Sequence, residues 1–197
     1  MSLVLLGLLN SQAAAAGGAG AFDLIETQVL TTTATSVTFS SLDTVAADYK
    51  TLEIRAVART ERADYQDQLA VRLNGATSSY TNHGFGGNGG SISAFATTNT
   101  SHIFNSAQYD LPASLETANH FGFAVITLTD FASANKRPIV SAYSGKSQGT
   151  QIQDINIWSG FLTNTTNAIT SVTLSSRFTS NSDFIAGCRF SLYGWKG

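Results

Sequence analysis

The chain has 197 residues, of which 11 are Lys or Arg and 13 are Asp or Glu, giving a net charge of −2 with only 12% charged residues. So sparse and balanced a charge leaves no electrostatic footprint for nucleic acid or an anionic membrane. The single cysteine, Cys188, excludes an intrachain disulfide and a thiolate metal cluster.

In chain order, residues 1–21 come first, as a segment of their own. Leu3, Val4, Leu5, Leu6, Leu8 and Leu9 make an apolar plug, tied to the rest by an Ala/Gly tether that ends at Ala21. A secretory leader has a similar apolar core, but no Lys or Arg precedes this one. The run is also far short of the ~20 residues that cross a bilayer, so no membrane span is expected. Too short to bury its own surface, it is expected to anchor the chain to another protein; folding back on its own domain is the alternative.

From residue 22 onward, strand patterns recur at short intervals: 22–31, 35–42, 49–59, 67–73, 102–107, 121–130, 138–143, 151–161, 168–177 and 184–195. In 52–59 one face is apolar and the other carries Glu53, Arg55 and Arg59. Around Asp154 the alternation shifts phase, which reads as a bulge. Turn chemistry separates the strands at Asn74-Gly75, Ser144-Gly145-Lys146, 164–167 and 180–183. A short helical turn is expected at 111–117, and the last strand is expected to bury Phe190, Leu192 and Trp195. Cys188 suits a small core position in that strand. Eight to ten strands at this spacing predict an all-β fold over 22–197, an antiparallel sandwich of jelly-roll type. Residues 81–101, rich in Gly, Ser and Thr, read as one long loop. Tyr80, His83, Phe85 and Phe95 on or beside it are candidate ligand or interface residues.

Several motifs tempt a catalytic assignment and fail on context. Gly84-Phe-Gly86-Gly-Asn-Gly89 matches a dinucleotide fingerprint, but no helical period follows to receive a pyrophosphate. Gly145-Lys-Ser147-Gln-Gly149 matches a nucleophile elbow, which needs a following helix and a histidine downstream of the serine; the last histidine is His120. His83, His102 and His120 have no metal-ligand spacing. Glu61, Asp64 and Asp67 could collect a calcium ion, but a solvated loop with Arg62 neutralising one acid is the expectation. No catalytic residue, cofactor or metal site is assigned.

An ordered series of segments carries a resemblance. It runs through Ile25-Glu-Thr-Gln-Val-Leu, Ser36-Val-Thr-Phe-Ser, Tyr49-Lys-Thr-Leu-Glu-Ile-Arg and Arg62-Ala-Asp-Tyr-Gln-Asp-Gln-Leu-Ala-Val-Arg-Leu-Asn-Gly. It continues through Phe121-Gly-Phe-Ala-Val-Ile-Thr-Leu-Thr-Asp-Phe, Trp158, Ala168-Ile-Thr-Ser-Val-Thr-Leu and the closing Phe190-Ser-Leu-Tyr-Gly. This series resembles a group of tailed-phage virion structural proteins found in marine and cyanobacterial phages. The resemblance implies a non-enzymatic virion component (head decoration, head fibre or tail part) that binds other virion proteins. A homotrimer is expected by analogy of fold. The alternatives are an attachment module for host-surface glycan and a secreted carbohydrate-active enzyme or lectin.

Overall fold

A strand has two faces, and in residues 51–58 the inward one carries Leu52, Ile54, Ala56 and Ala58, all buried. The same period organises the rest of the chain. The computed structural model describes residues 21–104, 109–148, 151–164, 167–178 and 181–196, with side chains omitted at 147, 148 and 151–153. The apolar plug at Leu3–Leu9 lies outside these residues.

The strands are β1 (Phe22–Val29), β2 (Ser36–Phe39), β3 (Thr51–Ala58), β4 (Gln66–Asp67), β5 (Leu69–Leu73), β6 (Tyr80–Gly87) and β7 (Ile92–Thr100). They continue as β8 (Ile103–Phe104), β9 (Leu111–Pro112), β10 (Gly122–Thr129), β11 (Ile139–Gln148), β12 (Gln151–Leu162), β13 (Val172–Ser176) and β14 (Arg189–Trp195). An eight-stranded sheet runs β1-β14-β3-β10-β11-β12-β6-β7, a four-stranded sheet runs β2-β13-β5-β8, and β4 pairs with β9. All pairings are antiparallel. The fold is therefore all-β, an antiparallel sandwich of jelly-roll-like arrangement. One apolar cluster joins the two large sheets, with Leu52, Ile54, Ile126, Leu128, Phe190 and Leu192 on one side and Val37, Phe39, Leu69, Val71, Val172 and Leu174 on the other.

The structure revises several local expectations. Residues 81–101 are not a loop but most of the β6–β7 hairpin. Glycines hide the alternation there, and Gly84 is required by packing: a Cβ would sit 2.7 Å from that of Trp158 on β12. Residues 144–146 continue β11 rather than turn. At 111–117 the chain forms β9 and then a turn, with no helix. The irregularity expected around Asp154 is present: the β11–β12 register shifts between the Lys146–Asp154 and Gln148–Gln151 pairs, with the extra residue on β12. Phe184 makes isolated bridges to Ala34 and Thr60, and β14 starts only after the turn at Gly187, whose φ is +90. Cys188 is buried just ahead of that strand, in contact with the Arg59 backbone through its thiol.

Two further residues, Arg59 and Trp195, sit differently from expectation. Arg59 is buried, its guanidinium donating to the carbonyls of Ser114, Glu116, Thr117 and His120 and so holding that loop against the sandwich. Trp195 is 40% exposed and packs on Phe22 at the sheet's outer side, 4.6 Å between centroids, rather than in the core. Phe190 and Leu192 are buried as expected. Phe190→Ala should therefore cost ~3–5 kcal/mol of unfolding free energy, and Trp195→Ala clearly less; urea titration of the two variants checks the order.

Candidate functional site: the outer face of the large sheet

The two sheets treat their solvent sides differently. On the four-stranded sheet the outward positions are Ser36, Thr38, Thr173 and Ser175, with Thr38 and Thr173 hydrogen-bonded at 2.9 Å. On the eight-stranded sheet, cross-strand register places two apolar rows side by side. One row passes from Ile92 through Gly87, Ile155, Gly145 and Phe123 to Val57. The next passes from Ala94 through Phe85, Ile157 and Tyr143 to Val125. Ile92 and Ile155 are the barest large apolar side chains among the described residues, at 82% and 68% exposed. Gly145 has no open space above it, because the Phe123 ring lies over it, 2.9 Å from where a Cβ would stand. Gly87 does: an open hollow of about 740 Å³ lies there, walled by Phe85, Ile92, Ile155 and Ile157 and closed at one end by the hairpin tip at 88–90. At that tip Asn88 Oδ1 accepts from the backbone N–H groups of Gly90 and Ser91, which fixes the turn.

Behind these rows, the inward positions Ser144 and Lys146 of β11 and Asp154 and Asn156 of β12 are polar. Lys146 Nζ and Asp154 Oδ2 form a buried ion pair at 2.6 Å, and Lys146 also donates to Gln66 Oε1 at 3.2 Å. Ser144 donates to Asp110, whose second oxygen accepts from the backbone N–H of Leu69 at 3.3 Å. Asn156 Nδ2 reaches the Tyr109 carbonyl at 3.2 Å, and Trp158 Nε1 donates to Ser144 Oγ at 3.4 Å. Complete burial pushes the Asp110 carboxyl up to about 7, against the lowering pull of the Ser144 and Leu69 hydrogen bonds. A second buried acid, Asp67, is also raised by desolvation and accepts from Thr60, Ser176 and the Gln68 backbone. These groups are closed to solvent, so their chemistry is that of a cross-brace between layers. The outer face offers non-directional apolar contact.

The sequence-predicted residues scatter across this architecture. His83 and Phe85 point outward on β6, and Phe85 lines the hollow, while His83 lies 3.4 Å from Ser159 Oγ. Tyr80 is fully buried instead, its hydroxyl accepting from the Leu73 N–H at 2.8 Å, and Phe95 packs inward against the core. The four therefore form no common site. Asp64 pairs with Arg62 at 3.1 Å as expected, but Asp67 is buried rather than solvated. Lys146 of the elbow-like motif points inward to Asp154, and a strand follows the motif. Ile155, Ile157, Tyr143 and Phe123 were not singled out from sequence. The available signal was Asp154-Ile-Asn-Ile-Trp158: a tryptophan marks the inward face, which forces both isoleucines outward.

Comparison with protein-family models, with curated proteins and with solved structures gives no match to this chain.

Two expectations follow from the buried groups. Folded Asp110 keeps a proton that the unfolded chain releases above pH about 4, so its contribution to stability is full below that pH and is lost as pH rises to about 7. His102 acts oppositely: burial lowers it to about 4, so the unfolded chain gains a proton below about 6.5 that the folded chain refuses. Asp110→Asn should remove its share of the fall, leaving that of Asp67, so that stability rises more, or falls less, from pH 4 to 6.5 than in the wild type; urea midpoints across pH 4–7 for both proteins check this. Separately, Lys146→Met strands a buried carboxylate and should cost ~3–5 kcal/mol, whereas adding Asp154→Leu should recover much of it; a double-mutant cycle reads the coupling.

Proposed function

We propose that this chain is a non-enzymatic virion structural protein that takes its place in a larger particle by apolar contacts. The observation that supports this reading most is the outer face of the eight-stranded sheet. There Ile92, Ile155, Ile157, Phe85, Tyr143 and Phe123 lie bare and contiguous on a body whose other sheet is polar outside. Soluble proteins rarely leave such a patch to water unless it meets another surface. The charged pair directly behind this face, Lys146 and Asp154, is turned inward and sealed, and the exposed Arg55 and Arg189 stand only at the far ends of the two rows. The apolar segment at Leu3–Leu9 adds a second contact, the anchor to neighbouring virion proteins, and the resemblance to tailed-phage virion components names the kind of particle.

Deletion of residues 1–20 tests this. The sandwich should stay folded, since β1 begins at Phe22 and is held by β14. Co-sedimentation with virus particles should be lost, and Leu5→Asp with Leu8→Asp should act almost as strongly, because charge would be forced into an apolar socket. Full occupancy of particles by the deleted protein counts against the anchor. A soluble full-length chain that never sediments with particles counts against the virion assignment as a whole.

A further inference from the structure

The outer face carries both halves of a self-complementary contact. Ile155 stands proud on β12, and one strand away the hollow over Gly87 stands open. We propose that a second copy of this chain covers this face about a two-fold axis, the Ile155 of each copy seated in the hollow over Gly87 of the other. The inference rests on reading the face as an assembly surface and names what occupies it.

Three observations select a second copy. An isologous interface needs knob and hole within one patch, and here they are adjacent strand neighbours. A two-fold axis between β12 and β6 lays β11, β12, β6 and β7 of one copy on the same strands of the other. Ile92, Ile155, Ile157, Phe85 and Tyr143, each at least 50% exposed, offer on the order of 600 Å² per copy when fully covered, which reaches the ~1,200 Å² total of the smallest stable interfaces. Finally, among the described residues the outward positions of β11, β12, β6 and β7 hold no Asp, Glu, Lys or Arg, and His83 is the one histidine there. β7 is the edge strand, nine residues long without a charge or a proline, whereas the opposite edge, β1, carries Asp23, Glu26 and a bulge between Leu24 and Glu26.

Sedimentation equilibrium of the full-length chain from about 1 to 200 μM tests the pairing. The wild type should show a reversible dimer. Ile155→Glu should be monomeric throughout, with unchanged circular dichroism and melting temperature, because the side chain is already in water. Gly87→Val should weaken the dimer at least about tenfold by filling the hollow from within; its Cβ meets only ordinary contacts, the nearest 3.6 Å away. Thr38→Glu, on the polar sheet, should leave the dimer intact. A monomeric or trimeric wild type overturns the proposal, as does a dimer that survives Ile155→Glu or yields only to Leu5→Asp with Leu8→Asp. If Ile155→Glu disturbs the fold, Ile155→Thr keeps a β-branched residue and should still weaken pairing several-fold; wild-type pairing by that variant overturns the proposal too. A monomer that still sediments with particles defeats the pairing and spares the virion reading; a dimer that never does so defeats the reading and spares the pairing.

Discussion

Because strand side chains alternate with period two, the inward and outward faces of β11 and β12 cannot be chosen independently. Once Lys146, Asp154, Asn156 and Trp158 face the interior, Gly145, Ile155 and Ile157 face water, and the two bare rows of the large sheet follow. A slip of one residue would put the isoleucines inside and strand a lysine and an aspartate on the surface. It would also break the braces from β11 and β12 to Gln66 on β4 and to the Asp110–Leu69 contact. The buried ion pair and the exposed apolar face are thus one constraint seen from two sides.

Buried charge is costly, and replacing such a pair by aliphatics often raises stability. What this pair adds is register. Across the β11–β12 ladder Lys146 pairs with Asp154 and Trp158 donates to Ser144, and a single alignment satisfies both. Burial pushes the Asp110 carboxyl up to about 7, so below that pH it enters the cluster as a neutral group. Arg59 plays a similar part at the other side of β3, where four backbone carbonyls take the place of a counter-charge.

Much of the sandwich was legible in the sequence, because its central strands obey simple alternation. Leu52-Glu-Ile-Arg-Ala-Val-Ala and Leu69-Ala-Val-Arg-Leu are β3 and β5, with their expected apolar faces inside. The β6–β7 hairpin was not legible. Its glycines serve close packing on β12, and glycine in that role looks in sequence like glycine in a loop. Tyr80 and Phe95 were misjudged along with it, since a residue assigned to a loop has no inward face. The apolar surface was missed for a different reason. Ile155 and Ile157 have the composition of core residues, and only their spacing from Trp158 shows that they are not.

The pairing of β14 has a consequence for the route to this structure. β14 lies between β1 and β3, and β1 has no other neighbour in its sheet. The Thr27–Ser191 side-chain contact across that pair closes a separation of 164 residues. Until residues 189–195 are in place, β1 waits as an unpaired strand, and Leu52, Ile54 and Ala56 keep one ladder edge open. Loop closure on that scale comes late and slowly, so the chain should collect as a partly built sheet with sticky edges before it finishes. Speed of maturation and losses to aggregation are then governed by one seven-residue strand rather than by the size of the core.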